Sequence, residues 1–215
     1  IGNRYFKMSF RLEDKIKLHI SDKVKLKNLI KDQHGKELYP KREISSIYFD
    51  NKNLDMYKES EDGTLPRKKI RIRNYPKDKQ KIKNLEVKIS SVEGKFKKNK
   101  KISYDLYVEY LNKGIFDSTY GLCRKIIQIS YEREYWMLNN ARLTVDYNIH
   151  YEDPISQKNF FDSESLILEV KSSKNIINVQ NSLINIIPLE KQRFSKYCEG
   201  INQLHNQKHF QRLAF

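Results

Sequence analysis

Glycine and proline are scarce in this chain, with seven Gly and five Pro among 215 residues. No stretch is rich enough in either to serve as an interdomain linker, so residues 1–215 read as a single domain. Cysteine is scarcer still. Cys123 and Cys198 are the only two, too few for a disulfide framework, which points to a reducing, cytoplasmic setting. Long apolar runs are missing: nothing approaches the roughly 18–20 residues of a membrane span, and no signal peptide is visible. The chain opens on Ile1 rather than Met, which leaves room for a flanking segment or a membrane partner. His19, His34, His150, His205 and His209 have no metal-ligand spacing, there is no P-loop, and neither cysteine has a catalytic partner in sequence.

Positive charge is abundant. The 42 Lys and Arg against 27 Asp and Glu give a formal net charge of +15, so an anionic partner is expected. The 14 Tyr and 10 Phe supply too much aromatic surface for a disordered chain. Trp136 and the tyrosines read as packing rather than as platforms for nucleic-acid bases.

Helical signals are few. Ser21 is a suitable N-cap for a helix to about Lys31 that offers Val24, Leu29 and Ile30 for burial. A second helix is expected from near Ser103 to Leu111, and a third from Asn175 to Ile187, stopped by Pro188. The clearest is C-terminal, where Phe194, Tyr197, Cys198, Ile201 and Leu204 recur at helical steps. Asp32 to Lys41, Glu59 to Pro66, Pro76 to Asn84 and Val92 to Lys101 read as flexible, the last as a hairpin loop or mobile basic flap.

Strands fill the rest, and they share one pattern. In Arg67 to Tyr75, Arg67, Lys69, Arg71 and Arg73 point one way while Ile70 and Ile72 point the other. Glu86 and Lys88 stand opposite Leu85, Val87 and Ile89; Glu169 and Lys171 stand opposite Leu168 and Val170. Arg142, Thr144 and Asp146 share a face, as do Tyr131 and Arg133, and as do Arg11, Glu13, Lys15 and Lys17. An ordinary half-buried sheet would mix Thr, Ser, Gln and Lys on its wet face. Here that face repeatedly carries long charged side chains, and the tetrapeptide Leu-Glu-Val-Lys occurs twice. One arrangement satisfies every strand: apolar faces outward beneath helices, charged faces inward around a wet lumen, with sheet closure removing the edges. Such an interior needs a bound polyanion or metal to settle its charges. Because the bases follow lumen faces rather than one outer stripe, nucleic acid is an unlikely partner.

In order along the chain come Phe10-Arg11-Leu12-Glu13-Asp14-Lys15, Ser46-Ile47-Tyr48-Phe49-Asp50, Lys69-Ile70-Arg71-Ile72-Arg73-Asn74-Tyr75, Leu85-Glu86-Val87-Lys88, Tyr131-Glu132-Arg133, Arg142-Leu143-Thr144-Val145-Asp146, Leu168-Glu169-Val170-Lys171 and Phe194-Ser195-Lys196-Tyr197. This ordered set resembles the VTC domain, the polyphosphate polymerase branch of the CYTH-like triphosphate tunnel metalloenzymes. The resemblance implies an α+β fold built on a closed antiparallel β-barrel tunnel of about eight strands with flanking helices. It implies that Lys15, Arg71, Arg73, Lys88, Arg133, Arg142 and Lys196, with Lys171 beside them, grip phosphate. Glu169 would be the metal ligand, with Glu86 and Glu13 as further candidates, for Mn²⁺ or Mg²⁺. Asp50 and Asp146 would be structural partners of lumen bases. The implied activity is transfer of the terminal phosphoryl of ATP or another nucleoside triphosphate to polyphosphate. The alternatives are a triphosphatase or tripolyphosphatase of the same fold, and a non-catalytic module binding polyphosphate or inositol phosphates. Hydrolases of the superfamily typically open with Glu-x-Glu-x-Lys, whereas Arg11 stands here at the first Glu position. Losing that carboxylate weakens the case for a water-activating base.

Overall fold

The computed structural model describes residues 12–78, 81–172 and 194–205. The expected helix from Asn175 to Ile187, and Phe10 and Arg11 of the opening motif, lie outside them. The described elements are β1 (Leu12–His19), a 3-10 turn (Ile20–Asp22), α1 (Lys23–Asp32), β2 (Lys36–Asp50), α2 (Asp55–Asp62), β3 (Arg67–Asn74), β4 (Lys83–Ser91), β5 (Gly94–Ile102), α3 (Tyr104–Lys113), β6 (Ile115–Asp117), β7 (Gly121–Leu138), β8 (Ala141–Glu152), β9 (Asn159–Asp162), β10 (Ser165–Ser172) and α4 (Lys196–His205). None of these helices is long and apolar enough to cross a membrane.

The strands form one antiparallel α+β sheet in the order β1-β10-β8-β7-β2-β3-β4-β5, with β6 added to β7 and β9 to β8. The antiparallel α+β sheet is as expected, and its continuous path has eight strands, β6 and β9 making it 10-stranded; the expected closure into a barrel is not made by hydrogen bonds, since among the described residues no ladder joins β1 to β5. The edge at β5 carries exposed Lys95, Lys97, Lys98, Lys100 and Lys101, and lysines on an edge oppose further pairing. The sheet nonetheless curls. Lys88 on β4 lies within Coulombic reach of Glu13, Lys15 and Glu169 on β1 and β10, strands at the far end of the order.

Alternation sorts the side chains between the two faces. On the convex side, Ile16, Leu18, Leu143, Val145, Leu168 and Val170 pack with Leu26 and Ile30 of α1. Farther along, Ile47, Phe49, Ile70 and Ile72 pack with Met56 of α2 and Tyr107 and Leu111 of α3. The concave side is not charged from end to end. Ile44, Ile127, Ile129 and Ile167 form an apolar floor on which α4 seats Tyr197, Cys198 and Ile201.

Several local expectations change. The 3-10 turn moves the start of α1 to Lys23; Ser21 Oγ then bonds His19 Nδ1 at 2.7 Å and caps nothing. Leu26 and Ile30 are buried while Val24 is 68% exposed. The supposed basic flap is a regular strand, β5, paired with β4 from Lys83↔Ile102 to Ser91↔Gly94. The segments read as flexible from Asp32 and from Glu59 hold the start of β2 and the end of α2. Among the described residues Asp50 has no lumen base as a hydrogen-bond partner. It caps α2 from the end of β2, accepting from the Met56 and Tyr57 amides at 3.2 and 3.0 Å, and also accepts from Tyr197 OH at 2.6 Å. Ser103 does cap α3, its Oγ accepting from the Leu106 amide at 3.2 Å.

Gly200 fixes how closely α4 lies on its floor. A Cβ at that position would stand 2.5 Å from both Ile127 Cδ1 and Tyr151 Cδ1. Gly200→Ala therefore overpacks the seat at a cost of about 1–3 kcal/mol, and thermal denaturation should show Tm lower by several degrees. An unchanged Tm would mean that α4 has slack against the sheet.

Candidate functional site

Register gathers the charged residues on the concave face. Lys15 on β1 stands opposite Glu169 on β10, which stands opposite Thr144 on β8. Glu13, Lys171 and Arg142 form the next row. Arg133 on β7 faces Asp146 on β8. On the other arm Tyr48, Arg71, Glu86 and Asn99 make one row, and Lys69, Lys88 and Lys97 another. The period of two keeps every member of each row on one side of the sheet.

Asp146, Glu86 and Glu169, the buried carboxylates of these rows, each lie against more than one cation. Asp146 takes Arg133 through two bonds, of 2.5 and 2.7 Å, and Lys196 at 2.6 Å. This agrees with the structural role expected for it. Glu86 takes Arg71 Nε and Nη2 at 2.7 and 2.5 Å and Lys97 at 2.7 Å, with Arg73 at 4.0 Å. Glu169 takes Lys171 at 2.5 Å, with Arg133 at 3.8 Å. Glu13 lies 3.8 Å from Lys171 and 3.7 Å from Lys15. Burial alone would raise the carboxyl pKa values, but the cations win. Arg71 and Arg73 hold Glu86 at about 2, and Lys15, Lys171 and Arg133 hold Glu169 well below the usual range. Glu169 and Glu13 in turn raise Lys15 against the effect of its burial.

The structure places all eight predicted cations on this face, and it separates the three predicted metal candidates. Glu13 and Glu169 come together through Lys171, whereas Glu86 belongs to Arg71 and Lys97. Arg142 has no acidic partner among the described residues, and Lys88 has no salt bridge there. Burial and the neighbouring Arg71 push the Lys88 ammonium down to about 7.

Sequence reasoning left several site residues aside. Lys69, whose Nζ donates to Ser195 Oγ at 2.8 Å, was visible in its alternation with Arg71 and Arg73. Lys97 was hidden because a lysine run between two strands reads as a loop. Tyr48 and Tyr131, read as packing, hold arginines: Arg71 Nη1 donates to Tyr48 OH at 2.8 Å and Arg73 Nη2 to Tyr131 OH at 3.1 Å. Thr144 Oγ1 is buried beside Glu169 with no hydrogen-bond partner among the described residues. No group of three or more His, Cys, Asp or Glu suited to a metal occurs among the described residues. A cation held here would thus rest on Glu169 and Glu13, with Thr144 adjacent. Such a donor set is all oxygen and suits a hard ion that keeps places for phosphate oxygens.

A curled antiparallel sheet with a cation-lined concave face has the architecture expected of the CYTH-like triphosphate tunnel fold. The chain belongs to the VTC domain family, which it matches over residues 10–121 and 116–205. Solved structures share the fold. A candidate adenylate cyclase from Bacillus halodurans superposes with a TM-score of 0.56 at 17% identity, covering 85% of this chain and 96% of that one. Another candidate adenylate cyclase, from Vibrio parahaemolyticus, gives 0.55 at 12% identity over 91% and 99%. A protein from Pyrococcus horikoshii gives 0.52 at 12% identity over 83% and 96%. No curated protein sequence matches the chain. At these identities the likeness to the solved structures is one of fold.

The depressed Lys88 gives a signed expectation for stability. Its folded-state value of about 7 lies below the ordinary lysine value of about 10.4. Between those limits the unfolded chain binds more protons, so stability rises with pH across that window; below about pH 7 the full penalty is present. Lys88→Met should flatten the rise between pH 7 and 10 and raise Tm at pH 7, by about 2–4 °C for each kcal/mol recovered. Parallel Tm-against-pH curves for the two proteins would show that Lys88 is not the group responsible.

Proposed function

We propose that this domain is a metal-dependent polyphosphate polymerase, moving the terminal phosphoryl of ATP or another nucleoside triphosphate onto a growing polyphosphate chain. The observation that carries the reading is the concave face itself. Lys15, Arg71, Arg73, Lys88, Arg133, Arg142, Lys171 and Lys196 converge there, and the carboxylates among them do not balance their charge. Arginine forks can bond two phosphate oxygens at once, while the lysines act as point charges. Membership of the VTC domain family supports the same reading, and a supply of ATP fits the cytoplasm.

The chemistry asks for alignment and charge neutralisation rather than a base. A terminal phosphate oxygen of the chain, already ionised, attacks the γ-phosphorus; the bond from that phosphorus to the β–γ bridging oxygen breaks, and the nucleoside diphosphate leaves. No proton needs to be removed from the nucleophile. Hydrolysis would require a group to activate water; Glu86 and Asp146 are committed to cations at 2.5–2.7 Å, and Glu169 and Glu13, which share Lys171, are the donors this reading assigns to a metal. Mn²⁺ or Mg²⁺, held by Glu169 and Glu13, would supply further neutralisation of phosphate charge. Arg71 and Arg73 grip the triphosphate from one arm, and Arg133, Lys15 and Lys171 from the other.

Incubation with ATP and Mn²⁺ followed by gel electrophoresis should give a ladder of long polyphosphate; free orthophosphate alone would make the domain a hydrolase. Glu169→Gln should abolish metal-dependent turnover yet still bind metal-free tripolyphosphate. Arg71→Ala and Arg73→Ala should each weaken tripolyphosphate binding by roughly ten- to hundred-fold. Unaltered affinity in both arginine variants would remove the phosphate site from this face.

A further inference from the structure

The seat of α4 is connected to the cationic face through one side chain. Tyr197 of α4 is 2% exposed and donates its hydroxyl to Asp50. Its ring is stacked on that of Tyr48, with centroids 5.2 Å apart and planes 10° from parallel. Tyr48 lies on β2 and is itself buried, and its hydroxyl oxygen accepts from Arg71 Nη1 at 2.8 Å. The other edge of that guanidinium, Nε and Nη2, is taken by Glu86. Arg71 is therefore held from two sides: by a carboxylate on the neighbouring strand, and by a phenol whose own position is fixed by the C-terminal helix.

The two holds differ in kind. Glu86 is part of the same sheet arm as Arg71 and is present whether or not α4 is seated. Tyr48 is backed by α4, whose Tyr197 ring lies stacked against it. A planar guanidinium gripped along one edge can still tilt about that edge; a second bond at Nη1 removes the tilt. A phenylalanine at position 48 would stack on Tyr197 equally well, so packing does not explain the hydroxyl. The phenol also sits among cations: Arg71 and Arg73 draw its titration below the ordinary tyrosine range even though burial acts the other way.

We propose that Tyr48 is a positioning residue that couples the seating of the C-terminal helix to the orientation of Arg71, so that the anion site is complete only when α4 is docked. This rests on the reading that Arg71 grips phosphate, and it adds a means by which the C-terminal helix controls that grip. Tyr48 acts through Arg71.

Calorimetric titration with inorganic tripolyphosphate, without metal or nucleotide, tests the coupling apart from turnover. The proteins are the wild type, Tyr48→Phe, Arg71→Ala, the double variant and Tyr197→Phe, each with its Tm measured. Tyr48→Phe should lower affinity about tenfold and should have no further effect, within about twofold, once Arg71 is alanine; such non-additivity marks action through a shared group. Tyr197→Phe keeps the stack but frees it from Asp50, and should weaken binding a few-fold by the same route. A structural role alone would lower Tm and reduce affinity equally in both Arg71 backgrounds, which overturns the proposal. Wild-type affinity in Tyr48→Phe overturns it as well while leaving the phosphate site in place, provided Arg71→Ala is impaired. If the wild type does not bind tripolyphosphate, or Arg71→Ala binds normally, the reading of the site falls and the coupling falls with it.

Discussion

Cations on the concave face outnumber the carboxylates, and three buried carboxylates there each serve more than one of them. Asp146 holds Arg133 and Lys196; Glu86 holds Arg71 and Lys97 with Arg73 close by; Glu169 holds Lys171 with Arg133 close by. A buried charge without a partner is costly, and a crowd of like charges is costlier. Sharing fixes the positions of the long side chains while leaving a net positive interior. That combination turns a sheet face into an anion site: the geometry is set by the folded chain, and the remaining charge is left for a ligand to satisfy.

The two faces of the sheet are held by different means, and the site depends on both. On the convex side α1 and α3 cover aliphatic rows in the ordinary way of a half-buried sheet. On the concave side α4 covers only one end, on a floor of Ile44, Ile127, Ile129 and Ile167. The close approach at Gly200 and the stack of Tyr197 on Tyr48 set where the apolar floor stops and the charged region begins. Lys196, one residue before Tyr197, is carried into contact with Asp146 by the same seating.

The curl of the sheet turns its opposite arms toward each other. The Coulombic reach between Lys88 and Glu13, Lys15 and Glu169 gives that curl its chemical meaning. Charges from β1 and β10 act on the same space as charges from β4, even though no hydrogen-bond ladder joins the sheet's ends among the described residues. A ligand placed between the arms would neutralise both at once.

Alternation is a local property with a period of two, so the sequence alone could assign Lys15, Arg71, Arg73, Lys88, Arg133, Arg142, Glu169 and Lys171 to a common charged face. The C-terminal helix was legible for the same kind of reason, its apolar residues recurring at helical steps. Partnership is not local. That Glu86 is committed to Arg71 and Lys97 while Glu13 joins Glu169 depends on the register of strands far apart in the chain, and two identical Leu-Glu-Val-Lys tetrapeptides give no sign of the difference. Asp50 caps a helix that begins several residues later and meets Tyr197 from the other end of the chain, contacts that no spacing rule contains. The lysine-rich segment after Val92 became a strand because β4 offered it a full ladder, overriding a composition that favours a loop. Composition and periodicity determined which chemistry faces inward; only the tertiary structure decided which charges are spent on one another and which remain for a ligand, because that depends on distances set by curl, register and the seating of α4.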